Sequence, residues 1–339
     1  MPSILSCQPI LDRHPCAQQW LLVLASLGRA PATLDAYARA LAHYLRYCEI
    51  IQLSPQTANL DQMALYIREL LPGQSAAVAN STLHQRLTAI RLWYDHLVFL
   101  GLCEQNPLPR GQYSPQRSLT SHSGFSRGLV ARLIKLPAVP NDDDWLRIVA
   151  VASRASLRDR LMLALAYYGA LRRAEVVALQ LEDLDVAHRL MTLRAETTKS
   201  RRSRIVCYSP AVAPMLLEHL RHLRAAGWCS DALFRSDSDR NRGQPLTRWT
   251  WSKTVAGWAS VAELKAFSTH SLRHLRLTHL ARAGWKLHEL TAYAGHSDPR
   301  TTLAYLHLSG VDLASRMAQS VAVQDARLVS ALFRCSEEP

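Results

Sequence analysis

Lysine is nearly missing from this chain. Of its 339 residues 40 are lysine or arginine, and only Lys135, Lys199, Lys253, Lys265 and Lys286 are lysine. The remaining positive charge is carried by arginine, whose planar fork binds two phosphate oxygens at once. Aspartate and glutamate total 27, leaving a formal net charge of +13. Such an imbalance implies a polyanionic partner, nucleic acid above all. An anionic membrane surface is the competing partner, but no polybasic amphipathic anchor is present.

Other absences narrow the field further. The seven cysteines form no CxxC. Their odd number and wide spacing exclude a disulfide framework and fit reduced thiols in a cytoplasmic setting. The longest apolar run, "LMLALAYYGAL", is too short to cross a bilayer. With Arg158, Asp159 and Arg160 before it and Arg172 behind it, it reads as a buried core helix. The start, "MPSILSCQPILDRHP", lacks the basic residues and apolar stretch of a signal peptide. No GxxxxGK loop cradles phosphate, and no cluster of carboxylates waits for magnesium. There are no internal repeats.

What is present is mostly helical patterning. Leu34, Tyr37, Leu41 and Leu45 recur at helical spacing, as do Leu83, Leu87, Ile90, Tyr94 and Leu97. Each set gives a helix one apolar stripe, with Arg86 and Arg91 on the solvent side of the second. Residues 1–106 therefore read as a helical domain. The stretch "CEQNPLPRGQYSPQRSLTSHSGFSRG" breaks every period and marks a basic linker over 107–139. A second domain, 140–322, opens at "PNDDDW", a helix start with acidic residues in its first turn. It continues through two strands, "LMTLRAE" and "SRIVCYS", joined by "TTKSRR". Helices ending at Gly227 and Gly284 follow. A tail occupies 323–339. The fold class is mainly α with a small β-sheet.

Several polar residues in the second domain invite a chemical role, and each has a plain structural alternative. Arg172 and Arg173 directly follow an apolar helix, where an unpaired buried charge is costly. Glu175 offers a local partner. His270 shares a helix face with Arg273 and with His274. The first pair suits an anion. The second pair suits a metal, yet zinc wants a third ligand, and the segment is not HExxH, so no metal is expected. Lys199 lies in a basic turn with Arg201, Arg202 and Arg204. His296 precedes a short helix opened by Ser297, Asp298 and Pro299, and Tyr305 lies within it.

Order and spacing turn these residues into a set. An arginine in "GALRRAE", a lysine in a hairpin, His-x-x-Arg, Gly-His and a tyrosine nine positions later resemble the tyrosine recombinase (phage integrase) family. The segment "HSLRHLRLTHLARAGWKLHELTAYAGHSDPRTTLAYLHLS" carries the most specific likeness, and the resemblance covers nearly the whole chain. It implies a helical core-binding domain and a mixed α+β catalytic domain, in a site-specific recombinase of a bacterial mobile element. It implies Arg172 and Arg273 as the catalytic arginines, His270 and His296 as the active-site histidines, Lys199 as the hairpin lysine and Tyr305 as the nucleophile. No cofactor is implied. The implied partners are double-stranded DNA recombination sites, a homotetramer on two duplexes, and accessory DNA-bending or directionality proteins. The tail, apolar at helical spacing, would dock on a neighbouring subunit.

The chemistry follows from charge. A phosphodiester under attack gathers negative charge, which two guanidiniums can clamp. His296, and His270 with it, would add hydrogen bonds, and His270 could take the phenol proton. A phenol ionises at a pH of about 10, and neighbouring guanidiniums are expected to lower that value. Lys199 would give a proton to the departing 5′ hydroxyl.

Overall fold

In the computed structural model, residues 8–108, 129–131, 133, 139–227 and 231–306 are described. Most of the linker, Lys135 and the tail lie outside them. The chain divides into two compact units, 1–135 and 136–339.

The first unit is helical. It contains α1 (Pro15–Ser26), α2 (Pro31–Ile50), α3 (Leu60–Glu69) and α4 (Asn80–Phe99). Both sequence stripes face its core. Leu34, Leu41, Leu45, Leu83, Leu87, Ile90, Tyr94 and Leu97 are all buried, and each such large side chain contributes about 1.5–3 kcal/mol. Tyr37 is half-buried and stacks on Trp20. The hydroxyls of Tyr44 and Tyr94 meet at 2.6 Å inside this core, so the polar tips of the aromatics are satisfied. Arg86 and Arg91 are half-buried rather than solvated. Arg91 donates to the Leu108 carbonyl at 3.1 Å. Leu108 is itself fully buried, and the Ala131 carbonyl accepts from Asn80. Two described residues of the basic linker are thus held by this unit, Leu108 through burial and Ala131 through its carbonyl.

The second unit mixes helices with one small sheet. Its helices are α5 (Asp142–Ala152), α6 (Leu157–Tyr168), α7 (Arg173–Val177), α8 (Ala213–Ala225), α9 (Arg248–Val261), α10 (Thr269–Arg282), α11 (Leu287–Ala294) and α12 (Arg300–Leu306). Asn141 caps α5 in a reciprocal pair with Asp144, as the acidic start predicts. The apolar run forms α6, whose Leu161, Met162, Leu163, Leu165 and Ala166 are buried. The sheet has three antiparallel strands in sequence order: β1 (Leu184–Asp185), β2 (Leu190–Leu193) and β3 (Arg204–Cys207). Met191 pairs with Leu184 on one side and with Val206 on the other. The sequence shows only the two longer strands, because two residues carry no period. Met191 and Leu193 on β2 and Val206 on β3 turn inward onto α6 and α10 residues in one core. Helix α10 lies against α6, α11 and α12, and so it can present one side chain to each.

Candidate active site

The site begins where α6 stops. Ala170 takes a left-handed backbone, φ 47°, a conformation that costs a non-glycine residue about 1–2 kcal/mol. The turn delivers Arg172 to the N-cap of α7. Glu175, in the first turn of α7, accepts from the Arg172 backbone and side chain, both at 2.8 Å. The Arg172 guanidinium also reaches the Gly295 carbonyl at 3.3 Å. Arg173 points elsewhere: it meets the Ser252 hydroxyl at 3.3 Å and lies over the Trp249 ring. Of the two adjacent arginines, Arg172 is the one beside Gly295 and His296.

Glu175 is 1% exposed and holds a second arginine. From the first position of β3, Arg204 binds both of its oxygens, at 3.0 and 2.7 Å, and donates to the Tyr293 carbonyl. Burial pushes the Glu175 carboxyl up, but the hydrogen bonds and charges of Arg204 and then Arg172 outweigh it and leave its pKa below the usual value.

Arg273 is 1% exposed. Its guanidinium donates to the Ala170 carbonyl at 2.7 Å, to the Ala294 carbonyl at 2.5 Å and to Nε2 of His296 at 2.9 Å. Burial, and the neighbouring Arg172, push its pKa down to about 9. Because Arg273 only donates, Nε2 of His296 must accept, and Nδ1 carries the proton to Thr302 Oγ1, 2.9 Å away. Burial and then Arg273 push His296 down to about 3, so it is neutral. Both of its nitrogens are engaged, and a hydrogen bond from His296 to a phosphate requires an exchange of partners.

Tyr305, on α12, is 4% exposed. Its ring stacks 6.1 Å from that of His296, at 9°. Its hydroxyl meets Nδ1 of His274 at 2.7 Å. Arg273 and Arg172 act on the phenol as the sequence leads one to expect, but burial outweighs them and the pKa is raised. The expectation of a lowered value is thus reversed, since a charge removed from water costs more here than two guanidiniums return. His270 lies one turn before His274, with ring centroids 4.4 Å apart. It is exposed overall. Its pKa is lowered by burial of the ring first, then by Arg273 and Arg172, with Lys199 also contributing.

Lys199 is exposed in the turn between β2 and β3, close enough to oppose a charge on His270. The turn closes without glycine. Arg201 takes the left-handed conformation, φ 51°, and Thr198 Oγ1 accepts from the Arg202 backbone. A groove of about 700 Å³ runs from Ser200 and Arg202 past Arg204 to His288 and His296.

The structure therefore gathers Arg172, Arg273, His296 and Tyr305, with His270 and Lys199 at the edge. Sequence reasoning assigns no chemical part to Arg204, to Thr302 or, the zinc pairing with His270 aside, to His274. The one signal for Arg204 is a charge at the start of an apolar strand. Among the described residues no three His, Cys, Asp or Glu side chains gather as a metal site requires. No helix among them is long and apolar enough to cross a membrane.

Residues 141–310 match the phage integrase family, and residues 17–99 match the phage integrase N-terminal SAM-like domain. The chain is similar to the tyrosine recombinase XerD of Shewanella oneidensis, 27% identical over 310 residues that cover 91% of this chain and 95% of that protein. It is 30% identical over 297 residues to the tyrosine recombinase XerC of Pseudomonas fluorescens, covering 84% and 89% of the two. Among solved structures, XerH recombinase bound to palindromic difH superposes with a TM-score of 0.64 at 17% identity, over 86% of this chain and 80% of that one. The Tn1549 transposon integrase with transposon right end DNA gives 0.63 at 15% identity, over 91% and 99%.

Proposed function

The chain belongs to the phage integrase family and is a tyrosine-type site-specific DNA recombinase, and on that premise we propose that Tyr305 cuts DNA by forming a 3′-phosphotyrosyl intermediate. The observation that carries this reading is the meeting of Arg172, Arg273, His296 and Tyr305 at the junction of α6, α10 and α12. Positive charge there exceeds negative, since Glu175 faces three guanidiniums. A phosphodiester supplies the missing anion. Arg172 and Arg273 clamp its non-bridging oxygens, Tyr305 attacks phosphorus, and the 5′ oxygen leaves with a proton from Lys199. His270 faces the same phosphate. The covalent link conserves the phosphate's reactivity, so a second 5′ hydroxyl displaces the tyrosine without any outside energy source.

The partner is double-stranded DNA carrying recombination sites, in line with the difH substrate bound by XerH and the transposon right end DNA bound by the Tn1549 integrase, and as the net charge of +13 favours. The helical unit acts as core-binding domain, and four copies assemble on two duplexes. Residues 323–339 dock on a neighbouring copy, and accessory DNA-bending or directionality proteins set the outcome. The setting is the bacterial cytoplasm and the task that of a mobile element. Two DNA segments from the flanks of the gene, mixed with purified protein in a metal chelator without nucleotide, should yield recombinant joints. Joints that form only with a divalent metal or a nucleotide contradict the mechanism.

A further inference from the structure

We propose that His274, rather than His270, takes the proton from Tyr305 as the phenol attacks phosphorus. This rests on the recombinase reading above and assigns the base within that site.

The geometry is direct. Nδ1 of His274 stands 2.7 Å from the phenol oxygen, a short hydrogen bond. The two rings lie 5.4 Å apart at 35°. Among the described residues no hydrogen bond joins His270 to Tyr305; the ring of His270 packs on His274 instead. His296 stacks on the phenol, but its nitrogens are engaged by Arg273 and Thr302. His274 is thus the base that touches the atom losing its proton, the first requirement of a general base.

Its surroundings keep that base free. His270 and Arg273 face it from its own helix, Tyr305 from α12 and His296 from the segment between α11 and α12. Burial first, then His270 and Arg273, push its pKa down to about 4. It is therefore neutral, and in the tautomer that carries its proton on Nε2 the Nδ1 atom accepts from the phenol. A seated phosphodiester brings negative charge against Arg172 and Arg273, and so raises the affinity of His274 for a proton. The base gains strength only when substrate is present.

The step balances within the chain. The Tyr305 O–H bond breaks and its proton passes to Nδ1. The phenol oxygen bonds to phosphorus, and the bond from phosphorus to the 5′ oxygen breaks. That oxygen keeps the electron pair and is protonated from Lys199. On rejoining, the His274 imidazolium returns its proton to the departing phenolate.

The test measures single-turnover covalent attachment to a nicked DNA target. His274→Asn keeps an acceptor near the Nδ1 position but cannot hold a proton. It should bind DNA as wild type does and attach about 100-fold more slowly or worse, with the deficit shrinking as the pH rises towards that of the phenol. A second target carries sulfur in place of the bridging 5′ oxygen, so its leaving group needs no proton. That target should restore Lys199→Ala and leave His274→Asn slow. Attachment by His274→Asn at the wild-type rate, or full recovery on the sulfur target, overturns the assignment. If His274→Asn does not fold, His274→Gln makes the same comparison. Wild-type protein that attaches to no target sinks the recombinase reading itself, a different result from a fast variant.

Discussion

The guanidinium of Arg204 grips both oxygens of Glu175, at 3.0 and 2.7 Å, with neither side chain more than 7% exposed. The same carboxylate holds Arg172. A residue at the head of a strand thereby fixes the arginine that follows α6, through one anion. Removing one partner of a buried ion pair strands the other, at a cost of about 3–5 kcal/mol. Glu175→Gln is therefore expected to lose about that much stability in chemical denaturation, and to attach to DNA more slowly than its binding predicts. Unchanged stability would mean that the pair is not shielded from water.

Gly295 bounds the Arg204 side chain from the other side. It ends α11 with φ 62°, and a side chain there would meet Arg204 Cδ at 2.9 Å. Gly295→Ala adds a left-handed backbone cost of about 1–2 kcal/mol and displaces Arg204. Thermal denaturation should show the loss, and covalent attachment should fall with it. A variant as stable and as active as wild type would show that Arg204 yields freely.

The histidines predict a pH dependence. His274 and His296 are pushed down to about 4 and about 3, by burial first, while each takes up a proton near pH 6.5 when unfolded. Between those values the unfolded chain binds more protons. Their stabilisation is complete above pH 6.5 and drains away as pH falls towards 4 and then 3. Glu175 acts in the same sense, because its lowered pKa stabilises the fold until the pH falls through it. Denaturation midpoints should therefore decline steadily below pH 6.5. His296→Gln should flatten that slope by at most about 1.4 kcal/mol per pH unit. An identical slope in the variant would contradict a neutral His296.

The adjacent arginines should behave differently. Arg172 faces Glu175 and Gly295, whereas Arg173 lies against Ser252 and Trp249. Arg172→Ala should slow attachment about 10²–10³-fold, the cost of losing one donor to developing charge. Arg173→Ala should weaken binding at most. Rates measured on one nicked target decide this, and equal losses would remove the distinction.

Much of this molecule is legible before any coordinates. The apolar stripes of α2 and α4 mark their buried faces because helical spacing fixes which residues share a side. Asn141 announces α5 because a cap is a local event. Strand β1 is too short for a period and depends on its partner Met191. The phenol's raised pKa was not legible either. Spacing brings arginines near Tyr305, but how deeply the ring is buried is a property of the packed core. His274 is visible in "HSLRH", yet only the approach of α12 to α10 shows which nitrogen meets the phenol.

The most direct test asks which side chain joins the DNA. A target with a nick that lets the cleaved fragment drift away traps the intermediate. Wild-type protein should become covalently attached, and digestion followed by mass measurement should place the nucleotide on Tyr305. Tyr305→Phe should bind the same target and remain unattached. Attachment by the Phe variant, or a nucleotide found on any other residue, contradicts the account.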